Sequence, residues 1–162
     1  MELKKHFGIR GFLACSYLLI FAAYLAFGFL PTRTAVALQG RLQIGRIGLD
    51  TVVVSATLDD NGLVTPDEIP ATYSRSPNRT LIYGHSSTVF ENLYLLNIGD
   101  EISYNGKVYV INDVSVLEKD DINMNKVLAG SGRDSVVLMT CAGELYNNGG
   151  ASHRLLINAV EK

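Results

Sequence analysis

The chain has 162 residues, of which 48% are hydrophobic, and its 14 basic and 16 acidic side chains give a net charge of −2. This length allows one domain with its own core beside a terminal segment, and the mildly acidic balance gives no electrostatic reason to expect nucleic-acid binding. The chain has two cysteines, Cys15 and Cys141. Because Cys15 lies inside a long apolar segment, a disulfide between the two is not expected.

That apolar segment is predicted to be a membrane anchor. Residues 11–30 contain no charged side chain, and as a helix they would be about 30 Å long, which matches the hydrocarbon core of a bilayer. Lys4, Lys5 and Arg10 precede it, so the positive-inside tendency places residues 1–10 in the cytoplasm. We therefore expect a cytoplasmic flank at 1–10, a single transmembrane signal anchor at 11–30, a linker at 31–39 and an extracellular domain at 40–162. The alternative is a cleaved signal peptide, with TAVA at 34–37 as the cleavage site.

The domain after the linker consists of short β-rich runs separated by turn residues. A hairpin turn is predicted at Asn105-Gly106, because both residues tolerate the positive φ of a type I′ turn. Helices are predicted at 88–97, where Phe90, Leu93 and Leu96 share one helical face, and at 122–129. With so little helix, the fold class is mainly β, a sandwich or barrel. Strands are predicted at 41–47, 51–57, 80–83, 101–104, 107–117, 135–140 and 153–160.

The residues whose side chains are suited to catalysis are Cys141, His85 and Arg154. Cys141 follows the apolar run 136–140, which is predicted to be a core strand that ends at the cysteine. A thiol becomes a good nucleophile as the thiolate, a histidine can give and take protons, and an arginine can hold a carbonyl or oxyanion with its planar fork. His85 follows an apolar strand and Gly84, as expected for a residue at the rim of a site. Together the three residue types point to acyl transfer through a thioester.

Each of these residues also has a purely structural interpretation. Cys141 can be a small buried hydrophobe, His85 a surface loop residue and Arg154 a solvated strand charge. The second histidine of the domain, His153, adjoins Arg154, and strand alternation predicts that the two point in opposite directions.

The chain resembles the sortases, the membrane-anchored cysteine transpeptidases of bacterial cell surfaces. Leu138, Met139, Thr140 and Cys141 match the L-x-T-C signature of the family, His85 stands in Tyr-Gly-His, and Arg154 lies on the following strand. The similarity covers roughly residues 40–160, with further matches at 48–53, 63–66, 90–93 and 99–102.

The resemblance implies an eight-stranded sortase β-barrel with one or two short helices and with Cys141, His85 and Arg154 as the catalytic residues around one groove. Thr140 would line that groove and bind substrate. The implied partners are secreted proteins with a C-terminal LPxTG-like sorting signal and an amine acceptor, from a peptidoglycan precursor or a pilin lysine.

Three family variations bear on this chain. Calcium-stimulated sortases carry carboxylates just ahead of the histidine strand, whereas residues 71–78 here have none, so no cofactor is expected. Calcium stays an alternative, because other carboxylates cluster at 59–60, 67–68 and 118–121, although such clusters are usually solvated turns. The compact domain and its Gly-Leu-Asp and Asp-Asn-Gly-Leu-Val segments look closest to the class E and F groups. The loop at 143–150 borders the site in sortases and is a candidate for selecting the acceptor.

Two other functions stay open from the sequence. A site that admits water as readily as amines would hydrolyse the sorting signal. A membrane-tethered β-domain could instead bind cell-wall peptides without catalysis, with Cys141 as a core residue. The joint presence of His85, Cys141 and Arg154 favours a transpeptidase over the non-catalytic binding domain, and the hydrolase stays an alternative.

Overall fold

The computed structural model describes residues 37–59, 62–130, 132–146 and 150–162. The anchor predicted at 11–30 and its flanks lie outside the described residues. Within the described part, none of the helices has the length and apolar character needed to cross a membrane. The strands are β1 (Leu38–Ile44), β2 (Leu49–Ser55), β3 (Thr57–Asp59), β4 (Gly62–Val64), β5 (Ala71–Ser76), β6 (Arg79–Tyr83), β7 (Glu101–Tyr104), β8 (Lys107–Glu118), β9 (Ser135–Leu145) and β10 (Ala151–Glu161).

Eight of these strands close into a barrel in the order β1-β2-β5-β6-β9-β10-β8-β7, so the predicted β-barrel is confirmed. Most neighbours are antiparallel, but β6 runs parallel to β9 and β2 runs parallel to β5. β6 ends with Tyr83 opposite Met139, so the residues that follow β6 come next to the middle of β9. β3 and β4 form a separate two-stranded sheet outside the barrel.

The helix predicted at 88–97 is confirmed in part, as a short 3₁₀ helix at Leu93–Leu95 that follows successive turns. Phe90, Leu93 and Leu96 are buried as expected. The hydrogen bonds of this segment span three residues, with Leu93 N donating to Phe90 O at 3.2 Å and Leu96 N to Leu93 O at 3.2 Å. A spacing of three residues matches the 3₁₀ period of three better than the α period of 3.6.

The helix predicted at 122–129 is confirmed as a single turn, α1 (Met124–Val127). Asn123 caps it, because its side-chain oxygen accepts from the main-chain N–H groups of Asn125 and Lys126 at 3.0 and 3.3 Å. The predicted hairpin turn is confirmed as well, since Asn105 and Gly106 have φ values of 51° and 78°.

Side chains of β6, β9 and β10 alternate between two apolar clusters. The barrel interior contains Ile82, Leu138, Leu155 and their neighbours. The outer cluster is covered by α1 and the connections around it. This alternation defines the face of the sheet that carries each site residue. Members of the outer cluster on these three strands are Leu81, Tyr83, Val137, Met139 and Leu156.

Candidate active site

Cys141 and Arg154 are direct neighbours across strands β9 and β10. The antiparallel register pairs the two residues, so their side chains project from the same face of the sheet. β9 continues to Leu145, which corrects the expectation that the strand ends at the cysteine. The strand is longer because β10 pairs with it as far as Ala151 opposite Leu145. Cys141 is a half-buried free thiol in the middle of a paired strand.

His85 reaches the same region from β6. The parallel register pairs Tyr83 with Met139, and Gly84 N donates to Met139 O at 3.3 Å, which prolongs the pairing beyond β6. His85 lies two residues beyond Tyr83 and Cys141 two residues beyond Met139, so the turn that carries His85 follows the part of β9 that carries Cys141. Tyr83, Met139 and Leu156 all belong to the outer cluster, so strand alternation carries Cys141 and Arg154 onto this outer face.

The main chain around His85 is held by β9 and by the core. Thr140 Oγ1 donates to Gly84 O at 2.8 Å, and Phe90 N donates to His85 O at 3.0 Å. A Cβ atom at Gly84 would lie 2.7 Å from a methyl group of Val89, so the close approach of this turn requires glycine. His85 itself is half-buried, as expected for a side chain that must meet both a neighbour and a substrate.

The Arg154 guanidinium is supported by main-chain carbonyls of its own strand. Its Nη1 donates to His153 O at 2.8 Å and to Ala151 O at 3.1 Å. Within the described residues Arg154 forms no ion pair with a carboxylate, so its positive charge is not neutralised there. A guanidinium in this state can favour a nearby thiolate or hold a developing oxyanion.

His153 lies on the other face of β10. It alternates with Arg154 and shares its face with Leu155 of the barrel interior, as strand alternation predicts. Its Nδ1 is 2.7 Å from Ser152 Oγ. It lines a cavity of about 410 Å³ whose walls include Glu118 and Tyr146 and do not include Cys141. His153 therefore lies on the face opposite Cys141, whereas the turn with His85 lies next to the cysteine strand.

Thr140 is buried, with 4% of its surface exposed, and its hydroxyl is engaged by Gly84 O. Its side chain follows Leu138 on the interior face, whereas Cys141 lies on the outer face. A substrate-binding role for Thr140 stays a prediction and gains no support from this arrangement.

Two neighbours of the site were missed by the sequence reasoning. The sequence pattern identifies Gly84 only as a residue that flanks His85. In the structure its N–H and its carbonyl both form hydrogen bonds with β9 and thereby position the His85 turn. Leu117 of β8 pairs with Arg154 from the side opposite Cys141 and is 40% exposed. No local signal in the sequence identifies Leu117, because its position opposite Arg154 depends on the register between β8 and β10. That register shifts between Asn158 and Ala159 and cannot be counted from the sequence.

No group of three or more His, Cys, Asp or Glu residues in the described ranges is arranged to hold a metal ion.

A thiol on β9, a guanidinium on β10 and a histidine in the turn after β6 are the residue types that cysteine-dependent acyl transfer uses. The sequence model of the Sortase domain family matches residues 42–162. The chain therefore belongs to the sortase family, the cysteine transpeptidases that act on LPxTG-type motifs. A comparison with curated protein sequences gave no match.

Solved structures agree with this assignment. A lid mutant of sortase A from Corynebacterium diphtheriae has 25% identity and a TM-score of 0.62, over 82% of this chain and 74% of that one. Sortase C-1 from Actinomyces oris has 24% identity and a TM-score of 0.60, over 86% and 79%. Sortase C-1 from Streptococcus pneumoniae has 22% identity and a TM-score of 0.59, over 77% and 67%. Similar structures thus include sortases A and C, and the class E or F assignment stays a prediction.

Proposed function

We propose that this sortase cleaves an LPxTG-like sorting signal through a thioester on Cys141 and transfers the acyl group to an amine. The observation that carries the proposal is the pairing of Cys141 with Arg154 on one face of β9 and β10, beside a turn with His85 that Gly84 ties to β9. A domain that only binds wall peptides has no need of all three residues together.

In the first half-reaction the Cys141 sulfur attacks the carbonyl carbon of the threonine in the sorting signal. The carbon–nitrogen bond to glycine breaks, and His85 gives the departing amine its proton. Arg154 holds the carbonyl oxygen while negative charge develops on it. In the second half-reaction an acceptor amine attacks the thioester, His85 takes its proton, and the Cys141 thiolate leaves.

The acceptor is proposed to be an amine of a peptidoglycan precursor or a pilin lysine. One similar structure is named as a sortase C of a Streptococcus pilus island and another as a pilus-related sortase C, which makes a pilin acceptor reasonable for a protein of this family. An extracellular acceptor is also consistent with the anchor proposed at 11–30, which would hold the domain outside the cell.

Arg154→Lys is expected to lower kcat/KM by about 10²–10³, because lysine keeps the charge but loses the planar donor fork. The measurement is cleavage of a sorting-signal peptide, with alkylation of Cys141 by iodoacetamide as a control for an intact thiol. Near-full activity of the lysine variant would contradict the role of Arg154 in holding the substrate carbonyl. It would indicate that a nonspecific positive charge near the thiolate is sufficient.

The membrane topology is tested by protease added to intact protoplasts. We propose a single span at 11–30; its basic flank predicts by the positive-inside tendency that the barrel lies outside, so the domain should be digested while the cell contents stay intact. Protection of residues 40–162 in protoplasts, followed by digestion after lysis, would contradict this topology.

A further inference from the structure

The hydroxyl of Thr140 forms a buried link between the cysteine strand and the histidine turn. Tyr83 and Met139 are the last regular pair between β6 and β9. Beyond that pair both main-chain polar groups of Gly84 still bond to β9: its N–H donates to Met139 O at 3.3 Å, and its carbonyl accepts from Thr140 Oγ1 at 2.8 Å. The second of these bonds comes from a side chain, so the link depends on the residue at position 140.

Burial makes this bond important for the local structure. Gly84 is buried, and a buried main-chain carbonyl that loses its hydrogen-bond partner is unfavourable. On the far side of the turn, Phe90 N donates to His85 O at 3.0 Å, and the Phe90 ring is anchored in the barrel interior with 1% exposure. The main chain of His85 is therefore fixed at two points, to β9 through Thr140 and to the core through Phe90.

We infer that Thr140 is a positioning residue, whose hydroxyl holds the main chain before His85 and thereby keeps the imidazole beside Cys141. This inference rests on the proposed function, in which His85 and Cys141 are the acid–base group and the nucleophile. It assigns Thr140 a role different from the substrate contact that the sequence suggested, since the hydroxyl faces the protein interior and already has a partner.

The consequence is specific to turnover. His85 must reach two nitrogens in succession, that of the leaving amine and that of the acceptor. A misplacement of about 1 Å can cost about 10² in rate without any change in substrate contacts. Loss of the hydroxyl should therefore lower kcat and leave KM nearly unchanged, which is the signature of an interaction made in the transition state.

The test compares Thr140→Val, which replaces the hydroxyl with a methyl group of similar size, with Thr140→Ser, which keeps the hydroxyl. We expect a 10- to 100-fold lower kcat for valine, with KM within about twofold, and activity within about threefold of the parent for serine. Thr80→Val is the matched control. Thr80 lies at the other end of β6, where its hydroxyl accepts from Ser74 at 3.2 Å, and its loss should leave kcat unchanged. If Thr140→Val does not fold, Thr140→Ala provides the same comparison.

A second readout does not depend on a sorting signal. The rate of Cys141 alkylation by iodoacetamide is measured against pH in the full-length protein, and the profile of Thr140→Val should move toward that of His85→Ala, while serine restores the parent profile. If the parent fails to process sorting signals, the proposed function fails, but this profile still decides the role of Thr140. An unchanged alkylation profile in Thr140→Val would overturn the inference, as would a higher KM with unaltered kcat or an equal loss in the serine variant.

Discussion

Cys141→Ala is expected to abolish cleavage of a sorting-signal peptide while the barrel stays folded. No other side chain on the outer face of β6, β9 and β10 in the described residues offers a thiol, and nucleophile loss in enzymes of this kind costs several orders of magnitude. Folding should survive because Cys141 is half-buried and belongs to neither apolar cluster, so its sulfur leaves no core cavity.

The matched control is Cys15→Ala, which removes the other cysteine of the chain. Both variants and the parent are purified in full length in detergent, and cleavage is followed with a fluorogenic peptide containing LPxTG. Full activity is expected for Cys15→Ala. Retention of about a tenth of the parent rate by Cys141→Ala would rule out a covalent mechanism at this residue.

His85→Ala is expected to reduce turnover nearly as severely, whereas His153→Ala should keep most of the activity. The two histidines differ in their surroundings: His85 follows Gly84, which is bonded to Met139 and Thr140 of the cysteine strand, while His153 shares its face with Leu155 and contacts Ser152. Without His85 the departing amine has no proton donor in the first half-reaction and the acceptor amine has no base in the second.

The measurement is kcat/KM for both variants across pH, together with thermal unfolding to show that each barrel is folded. The parent should have a pH profile with one limb that disappears in His85→Ala and persists in His153→Ala. Equal losses of kcat/KM in the two variants would mean that the acid–base group has been assigned to the wrong residue.

The sequence was most informative where local pattern and chemistry coincide. The apolar run before Cys141 predicted a core strand, and the same alternation predicted that Arg154 and His153 face apart. The Asn105-Gly106 turn was predictable because positive φ at two successive positions selects those residues. These features depend on neighbours in the chain, which a single sequence displays directly.

Features that depend on distant partners were not predictable. β5 was missed, since only Ala71 of its six residues is buried and the strand is held by parallel pairing with β2 and antiparallel pairing with β6. The extension of β9 past Cys141 comes from β10, and the exposed residues at its end carry no strand pattern. The link from Thr140 to Gly84 joins residues 56 positions apart, so no spacing in the sequence indicates it.

The central claim is that the acyl group passes through a thioester on Cys141. Full-length protein is mixed with an LPxTG peptide, quenched in acid within the first turnover and examined by intact mass spectrometry, with the modified residue located by fragmentation. If the thioester forms, we expect an adduct on Cys141 with the mass of the acyl fragment that ends in threonine. Hydroxylamine should then release this fragment as its hydroxamate, because an amine-type nucleophile resolves a thioester. Peptide cleavage at an undiminished rate after Cys141 has been fully alkylated would contradict acyl transfer through a thioester on this residue.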